Sequence, residues 1–325
     1  MGMRDYLVKR GASALATLAL AIVLNFFLFR IMPGDPTRTV VGDFRVTPEV
    51  RQVLIHQFGL DQPLWVQFIL YLQNLFMGNL GVSFQYRGTP VVSIIFGRRL
   101  LNTFILMGSS MGLALIIGIT IGTIAAWKRE SKFDISTVIF SLVTYSMPVF
   151  WLGMLIILVF GYYLGSIPIA GTMTVGLTYS NVFEYAADYL HHMTGPLVTL
   201  TLSFVGFYFL IMRDSILDVF TEDYMLTAKA KGLSDRKILF RHAMRNATLP
   251  MVSLLAVEVT YLIGGATMTE TVFSWYGIGR LIYEAVVMAD YPILQGIFVV
   301  MSVAVITANF CADVVYAFLD PRIRY

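Results

Sequence analysis

Long runs without a charged residue constrain this chain more than anything else in it. They cover 11–29, 102–127, 193–212 and 291–312, the last extending towards Phe318. A further run, 135–183, is too long for one helix and holds Gly165, Pro168 and Gly171. Its helix is expected to end near Leu164, with the remainder an outside loop. A region at about 247–269 holds a single acid, Glu258. Each run is near the roughly 20 residues needed to cross a bilayer core. The chain is 57% hydrophobic and 13% charged, against about 25% charged in globular proteins. No soluble fold hides that much apolar surface. The expectation is an all-α membrane protein with six transmembrane helices.

The first run follows Arg4, Lys9 and Arg10, as in a signal peptide. It is longer than such an apolar region and no small-x-small cleavage site follows, so it reads as a retained helix. The single cysteine, Cys311, excludes an internal disulfide and a cysteine-based metal cluster. Orientation follows from lysine and arginine bias. With the N-terminus inside, the inner segments hold Arg4, Lys9, Arg10, Lys128, Arg129, Lys132, Arg213, Lys229, Lys231, Arg236, Lys237, Arg241, Arg245, Arg322 and Arg324. The longer outer segments hold Arg30, Arg38, Arg45, Arg51, Arg87, Arg98, Arg99 and Arg280. Both termini are therefore expected in the cytoplasm. The organisation is an N-terminal transmembrane helix (1–31), an extracytoplasmic segment with amphipathic helices (32–101) and a five-helix core (102–325).

In the outer segment MPGDP (32–36) is a turn, Thr47 and Pro48 start a helix, and Gly59 stops it. A second helix runs from near Pro63 to Gly78, with Leu64, Phe68, Leu72 and Leu75 spaced for one face. Either the pair meets an external partner or it covers the outer ends of the bundle; the two are compatible. Further on, Pro148 in YSMPVFW should kink the third helix, as a hinge or as a fixed bend.

The longest polar run between apolar segments is EDYMLTAKAKGLSDRKILFRHAMRNATLP (222–250). Thr221 can cap a short helix with Glu222 and Asp223 in its first turn. Gly232 supplies a left-handed stop. Ser234 can cap a second helix through about Ala247, with Ile238, Leu239, Ala243 and Met244 on related faces. A solvated basic loop is the bland reading. Against it stand two capped helices and the small residues Ala228 and Ala230, which would let another surface approach closely.

Several chemistries fail on their own terms. GSSMG (108–112) matches the G-x-S-x-G pattern of nucleophilic serines, but His56, His191, His192 and His242 all lie outside the apolar runs, so no base is placed beside it. Small residues in a membrane helix more often mark close packing. Glu184, Asp188, His191 and His192 could share a helix face as a metal site, but with no second cluster they read as an interfacial polar patch. Glu258 and Asp313 are the acids within or at the edge of spans, suited to pore lining or structural pairing; together with Pro148 they are the candidate pore or hinge residues. No P-loop occurs, so ATP is not bound by this chain through one. TVFSWYGIGRL (271–281) reads as a re-entrant or surface loop.

Taken together, MPGDP (32–36), FGLDQPLWVQF (58–68), GNLGVSF (78–84), YSMPVFWLGM (145–154), EDYMLTAKAKGL (222–233), HAMRNATLP (242–250), TETVFSWYGIGRL (269–281), DYP (290–292) and DPRIRY (320–325) resemble the permease subunits of peptide/nickel-type ABC importers, dipeptide and oligopeptide branch. The resemblance covers nearly the whole length. It implies a type I importer permease fold, a homologous second permease, two ATPase subunits carrying ATP and Mg, and an extracytoplasmic binding protein. It implies no cofactor, metal or catalytic residue on this chain, and no nucleic acid among its partners. It also implies that 222–232 is the coupling helix that docks on an ATPase, through Glu222, Asp223, Tyr224, Thr227, Ala228, Lys229, Ala230, Lys231, Gly232 and Leu233. Thr227 and Ala228 fall where the general motif has two alanines, Leu226 falls at its glutamate, and Gly232 is its glycine. The glutamate is thus absent here, and Leu249-Pro250 lies farther from the glycine than in the general motif. The implied cargo is peptide, with oligosaccharide and then nickel as alternatives. A secondary carrier without an ATPase, or a signalling or assembly scaffold, are the readings of another class.

Overall fold

The computed structural model describes residues 3–31, 62–86, 88–248, 250, 251, 254, 258 and 266–319. Among these the regular elements are helices, with one isolated bridge between Val82 and Pro90. The expectations at MPGDP, Thr47, Pro48 and Gly59, and most of the fifth run, lie outside the described residues.

The apolar runs become α1 (Met3–Ile31), α3 (Val91–Trp127), α6 (Val182–Phe220) and α11 (Tyr291–Leu319). A helix satisfies its own backbone, which hydrocarbon cannot do, so charge-free sequence of this length settles here. The run after Lys132 bends at Pro148, where a kink was expected, and bends sharply enough to make two helices. It forms α4 (Lys132–Ser146) and α5 (Val149–Tyr163), set 103° apart at Met147 and Pro148. Pro148 lacks an N–H and clashes with the preceding turn, and Met147 goes extended (φ −74°, ψ 133°). Among the described residues four helices are long and apolar enough to span a membrane, or five if α4 and α5 make one span. The fourth run, expected at 193–212, is the middle of a 39-residue helix. Asn181 caps its start by accepting from the Glu184 N–H at 2.9 Å.

The chain divides into two compact units. The first comprises Met1–Thr103, Ile263–Thr267 and Tyr276–Tyr325. Within it α1 packs along α11, and α2 (Leu64–Phe76) lies on α1 through Phe68, whose ring meets that of Phe26 edge-on at 5.1 Å. Leu64 does not join that face; it is exposed, and Gln67 is the buried residue of α2. The core gathers Val91, Ile95, Ile278, Leu281, Ala285, Ile293 and Ile297. Gly296 permits the close packing there, since a Cβ would come within 2.6 Å of Val91 Cγ1 and force a shift.

The second unit comprises Phe104–Leu262 and Met268–Trp275. Its axis is α6. The helix α4 crosses α6 at Gly206, where a Cβ would stand 2.6 Å from the Ser141 carbonyl. The stretch of α3 after Phe104 crosses it at Gly118 and Gly122, whose added Cβ atoms would meet Tyr208 Cβ at 2.6 Å and the Phe209 carbonyl at 2.8 Å. That spacing of four is how membrane helices bring backbones together. Nor is 271–281 a surface loop. It holds the end of α9 (Thr267–Val272), a tight turn and the start of α10 (Ile278–Val287), with Phe273 and Trp275 buried.

Candidate functional site

After Phe220, α6 gives way through a two-residue turn to α7 (Asp223–Ala230). Thr221 is not its cap. It is the C-cap of α6, still in helical geometry, and its hydroxyl donates to the Asp218 carbonyl at 2.6 Å. Extended Glu222 takes the N-cap position without a side-chain bond. The far end matches expectation. Gly232 adopts φ +70°, with its N–H donating to Lys229 at 2.9 Å and the Leu233 N–H to Ala228 at 3.4 Å. This paired closure of the last carbonyls uses glycine for the left-handed step.

Two residues of α7 face inward. Met225 and Ala228 are buried with Ile216, Ile238, Leu239, Ala243 and Ala247 in one apolar cluster. The small size of Ala228 therefore serves packing within the chain rather than approach by another surface. Helical spacing puts Asp223, Leu226, Thr227 and Ala230 on the opposite face, and all four are exposed, Leu226 at 63%. Tyr224, Lys229 and Lys231 flank that face, also exposed. The second helix, α8 (235–247), supports α7 from behind and widens to π-type turns at Ile238–Ala243. Ser234 sits at its N-cap without a side-chain bond. The Asn246 amide donates to the Tyr224 hydroxyl at 2.6 Å, tying RNATLP to the short helix.

Fixed polar contacts run back along α6. Arg213 holds Asp134 through Nε at 2.6 Å and Nη2 at 3.0 Å, and Asp134 also accepts from the Glu130 N–H at 3.0 Å. The basic loop after α3 is thereby clamped to α6 seven residues before its end. Deeper in the span the Tyr208 hydroxyl donates to Glu258, so this acid has a partner on α6. Asp313 pairs with Arg10 at 3.1 Å within the first unit. The hydroxyls of Ser109 and Ser110 in GSSMG donate to carbonyls of the preceding turn.

The polar patch at the start of α6 closes a loop. Asp188 accepts from the Thr174 N–H at 2.8 Å, the Thr174 hydroxyl at 2.7 Å and the Tyr179 hydroxyl at 2.7 Å, while His192 Nδ1 lies 2.9 Å from the Asp188 carbonyl. The acceptor carboxylate raises the pKa of Tyr179, since losing that proton would set two anions together. No metal-ligating group of His, Cys, Asp and Glu occurs among the described residues.

In the first unit the motif residues meet. Asp290, fully buried, accepts from the Ser83 hydroxyl at 2.6 Å, the Gln85 N–H at 2.9 Å and the Ile293 N–H at 3.3 Å. GNLGVSF and DYP are thus one joint. Arg99, 2% exposed, donates to Glu284 at 3.0 Å and the Tyr86 hydroxyl at 2.8 Å, and its guanidinium lies 3.9 Å over the Tyr276 ring. Sequence reasoning missed Arg99, Glu284, Asp290, Asp134 and Arg213 as structural groups. The charges of Arg99, Asp134 and Arg213 at span ends were the available signal, but reading pairs needs the fold. Gly118 and Gly122 were missed as well; their spacing of four was the available signal.

Comparison with known proteins agrees in kind. The model of "Binding-protein-dependent transport system inner membrane component" matches residues 118–325, and the N-terminal model of the same kind of component matches residues 3–106. The oligopeptide transport system permease protein AppB of Bacillus subtilis (strain 168) is 34% identical over 323 residues, covering 99% of this chain and 100% of that one. The dipeptide transport system permease protein DppB of Escherichia coli (strain K12) is 34% identical over 339 residues, covering 99% of each. The glutathione transport system permease protein GsiC of E. coli O6:H1 (strain CFT073 / ATCC 700928 / UPEC) is 38% identical over 326 residues, covering 99% and 100%.

Proposed function

This chain belongs to the family of binding-protein-dependent transport system inner membrane components, and on that footing we propose that it is the transmembrane subunit of an ATP-driven importer. It forms half of a translocation pore for di- and oligopeptides handed over by an external binding protein. It sits in the plasma or inner membrane with six spans, the fifth at about 247–269, and with both termini in the cytoplasm. A homologous permease completes the pore. ATP and Mg belong to two separate ATPase subunits, and this chain performs no covalent chemistry.

The observation that carries the reading is α7. A helix of eight residues has one face locked into the core by Met225 and Ala228 and the other left to solvent. The docking face is Asp223, Leu226, Thr227 and Ala230, with Tyr224, Lys229 and Lys231 at its rim. Glu222, Gly232 and Leu233 set its ends. Leu226 replaces a charged contact with an apolar one. Movement of the ATPase reaches α6 through the Met225 anchor and passes from α6 to the start of α4 through the Asp134–Arg213 clamp, as a rigid-body change between outward- and inward-facing states. Pro148 then fixes a corner, and Glu258 and Asp313 serve as pairing groups beside the path. Peptide is favoured as cargo because the relatives above are named for oligopeptide, dipeptide and glutathione transport; oligosaccharide and nickel are the alternatives.

The test is uptake by vesicles holding the assembled subunits. Peptide uptake should need ATP inside and the binding protein outside. Leu226→Arg should abolish ATPase association while the chain remains in the membrane. Uptake that persists without ATP would make the protein a secondary carrier, and uptake of sugar or nickel in place of peptide would change the cargo.

A further inference from the structure

We propose that the cavity among α1, α2 and α11 in the first unit binds the phosphodiester headgroup of one phospholipid. The cavity measures about 630 Å³, inside the range of roughly 300–1,000 Å³ typical of small-ligand sites. Arg30 lines it, and polar side chains of Gln62, Asn79 and Gln295 surround it. Phe29 and Val299 add apolar wall. Arg30 closes the 26-residue apolar stretch Asp5–Arg30, so its guanidinium stands where hydrocarbon meets water, at headgroup depth. Its Cζ sits 5.6 Å over the Phe26 ring, which fixes the side chain without neutralising it.

The second observation is α2 itself. It carries no charged residue, and its Tyr71 faces the cavity. The Tyr71 hydroxyl accepts from the Asn25 amide at 3.2 Å, which pins the ring against α1 at the cavity wall. On the other side Trp65, Ile69 and Phe76 are 68%, 46% and 85% exposed. An uncharged helix with tryptophan and phenylalanine turned outward lies in the membrane interface. The cavity behind it is therefore reached from lipid. A phosphate takes the arginine fork, esters and glycerol take the amides, and acyl chains follow the apolar wall. Among the described residues the cavity offers a free phosphate dianion one cation, Arg30, and a wall of no use to it.

The experiment uses the full-length chain, purified from membranes in mild detergent with whatever subunits accompany it. Native mass spectrometry counts retained phospholipid, and dioctanoyl phosphatidylglycerol is then titrated back. The unaltered chain should retain one phospholipid. Arg30→Gln and Gln295→Leu should each weaken rebinding, the arginine change by about tenfold for a lost charged hydrogen bond. Arg98→Gln, an exposed arginine outside the cavity, should leave it unchanged. Gln295→Leu carries the test if Arg30→Gln fails to assemble. No retained lipid, or equal rebinding by the cavity variants, would overturn the proposal. So would displacement of the lipid by inorganic phosphate at low concentration, which would make the site one for a soluble anion.

Discussion

Arg213→Met should destabilise the second unit sharply, and the structure says by how much. The guanidinium meets Asp134 through two bonds of 2.6 and 3.0 Å, with side-chain exposures of 20% and 3%. Removing one member of a buried pair strands the other and costs about 3–5 kcal/mol. Asp134 keeps the Glu130 N–H at 3.0 Å, which places the expected loss near the lower end. For a unit of this size each kcal/mol moves the melting point by roughly 2–4 °C, so a fall of roughly 6–12 °C is expected. Removing both charges, with Asp134→Asn added, should recover most of that, because neither partner is then left alone. Melting would be followed in detergent by the loss of the monodisperse chromatographic peak. A single variant within 2 °C of the parent, on the scale of roughly one kcal/mol or less, would show that the Asp134–Arg213 pair does not hold the unit together. So would a double variant no more stable than the single one.

Gly122→Ile forces a side chain against the Phe209 carbonyl, already 2.8 Å from an ideal Cβ; assembly into membranes should fall severalfold by immunoblot, with Gly108→Ala, where nothing lies within 4 Å, unaffected. At Gly232 an added Cβ meets nothing within 4 Å, so the cost of Gly232→Ala is the positive φ alone, about 1–2 kcal/mol. Gly232→Asn should be milder, as seen in ATPase association. Asp290→Ala removes the acceptor of three bonds in a fully buried site; a loss of about 3 kcal/mol is expected from roughly 1 kcal/mol per bond, measured as earlier melting, and Asp290→Asn should retain part of it. Charge reversal at both Lys229 and Lys231 should weaken ATPase association measured by co-purification, without changing the amount of chain in the membrane.

Much of the helical framework was legible because a bilayer demands so little of sequence. Length without charge located α1, α3, α6 and α11, and the prolines and glycines located the breaks near Pro63, Gly78 and Gly232. Boundaries were read less well where polar residues are tolerated. The ends of α6 carry Glu184, Asp188, Asp214 and Asp218, which suit water at a membrane surface as readily as a loop. The candidate docking helix was also legible as a helix, from its acidic first turn and its glycine stop. Which way it faces was not. Ala228 and Ala230 look equivalent in sequence, yet one is buried and the other exposed.

The sequence alone carries the helix-forming apolar runs, the breaks at proline and glycine and, through full-length similarity, the family; it left even the start of α7 open, where Glu222 and not Thr221 takes the N-cap position. Only the tertiary structure decided the pairs. Asp134 with Arg213, Arg99 with Glu284, and Ser83 with Asp290 lie 79, 185 and 207 residues apart. A charge at the end of a span reads as solvated until a partner is seen, because burial and pairing are properties of packed neighbours, and those neighbours are far away along the chain.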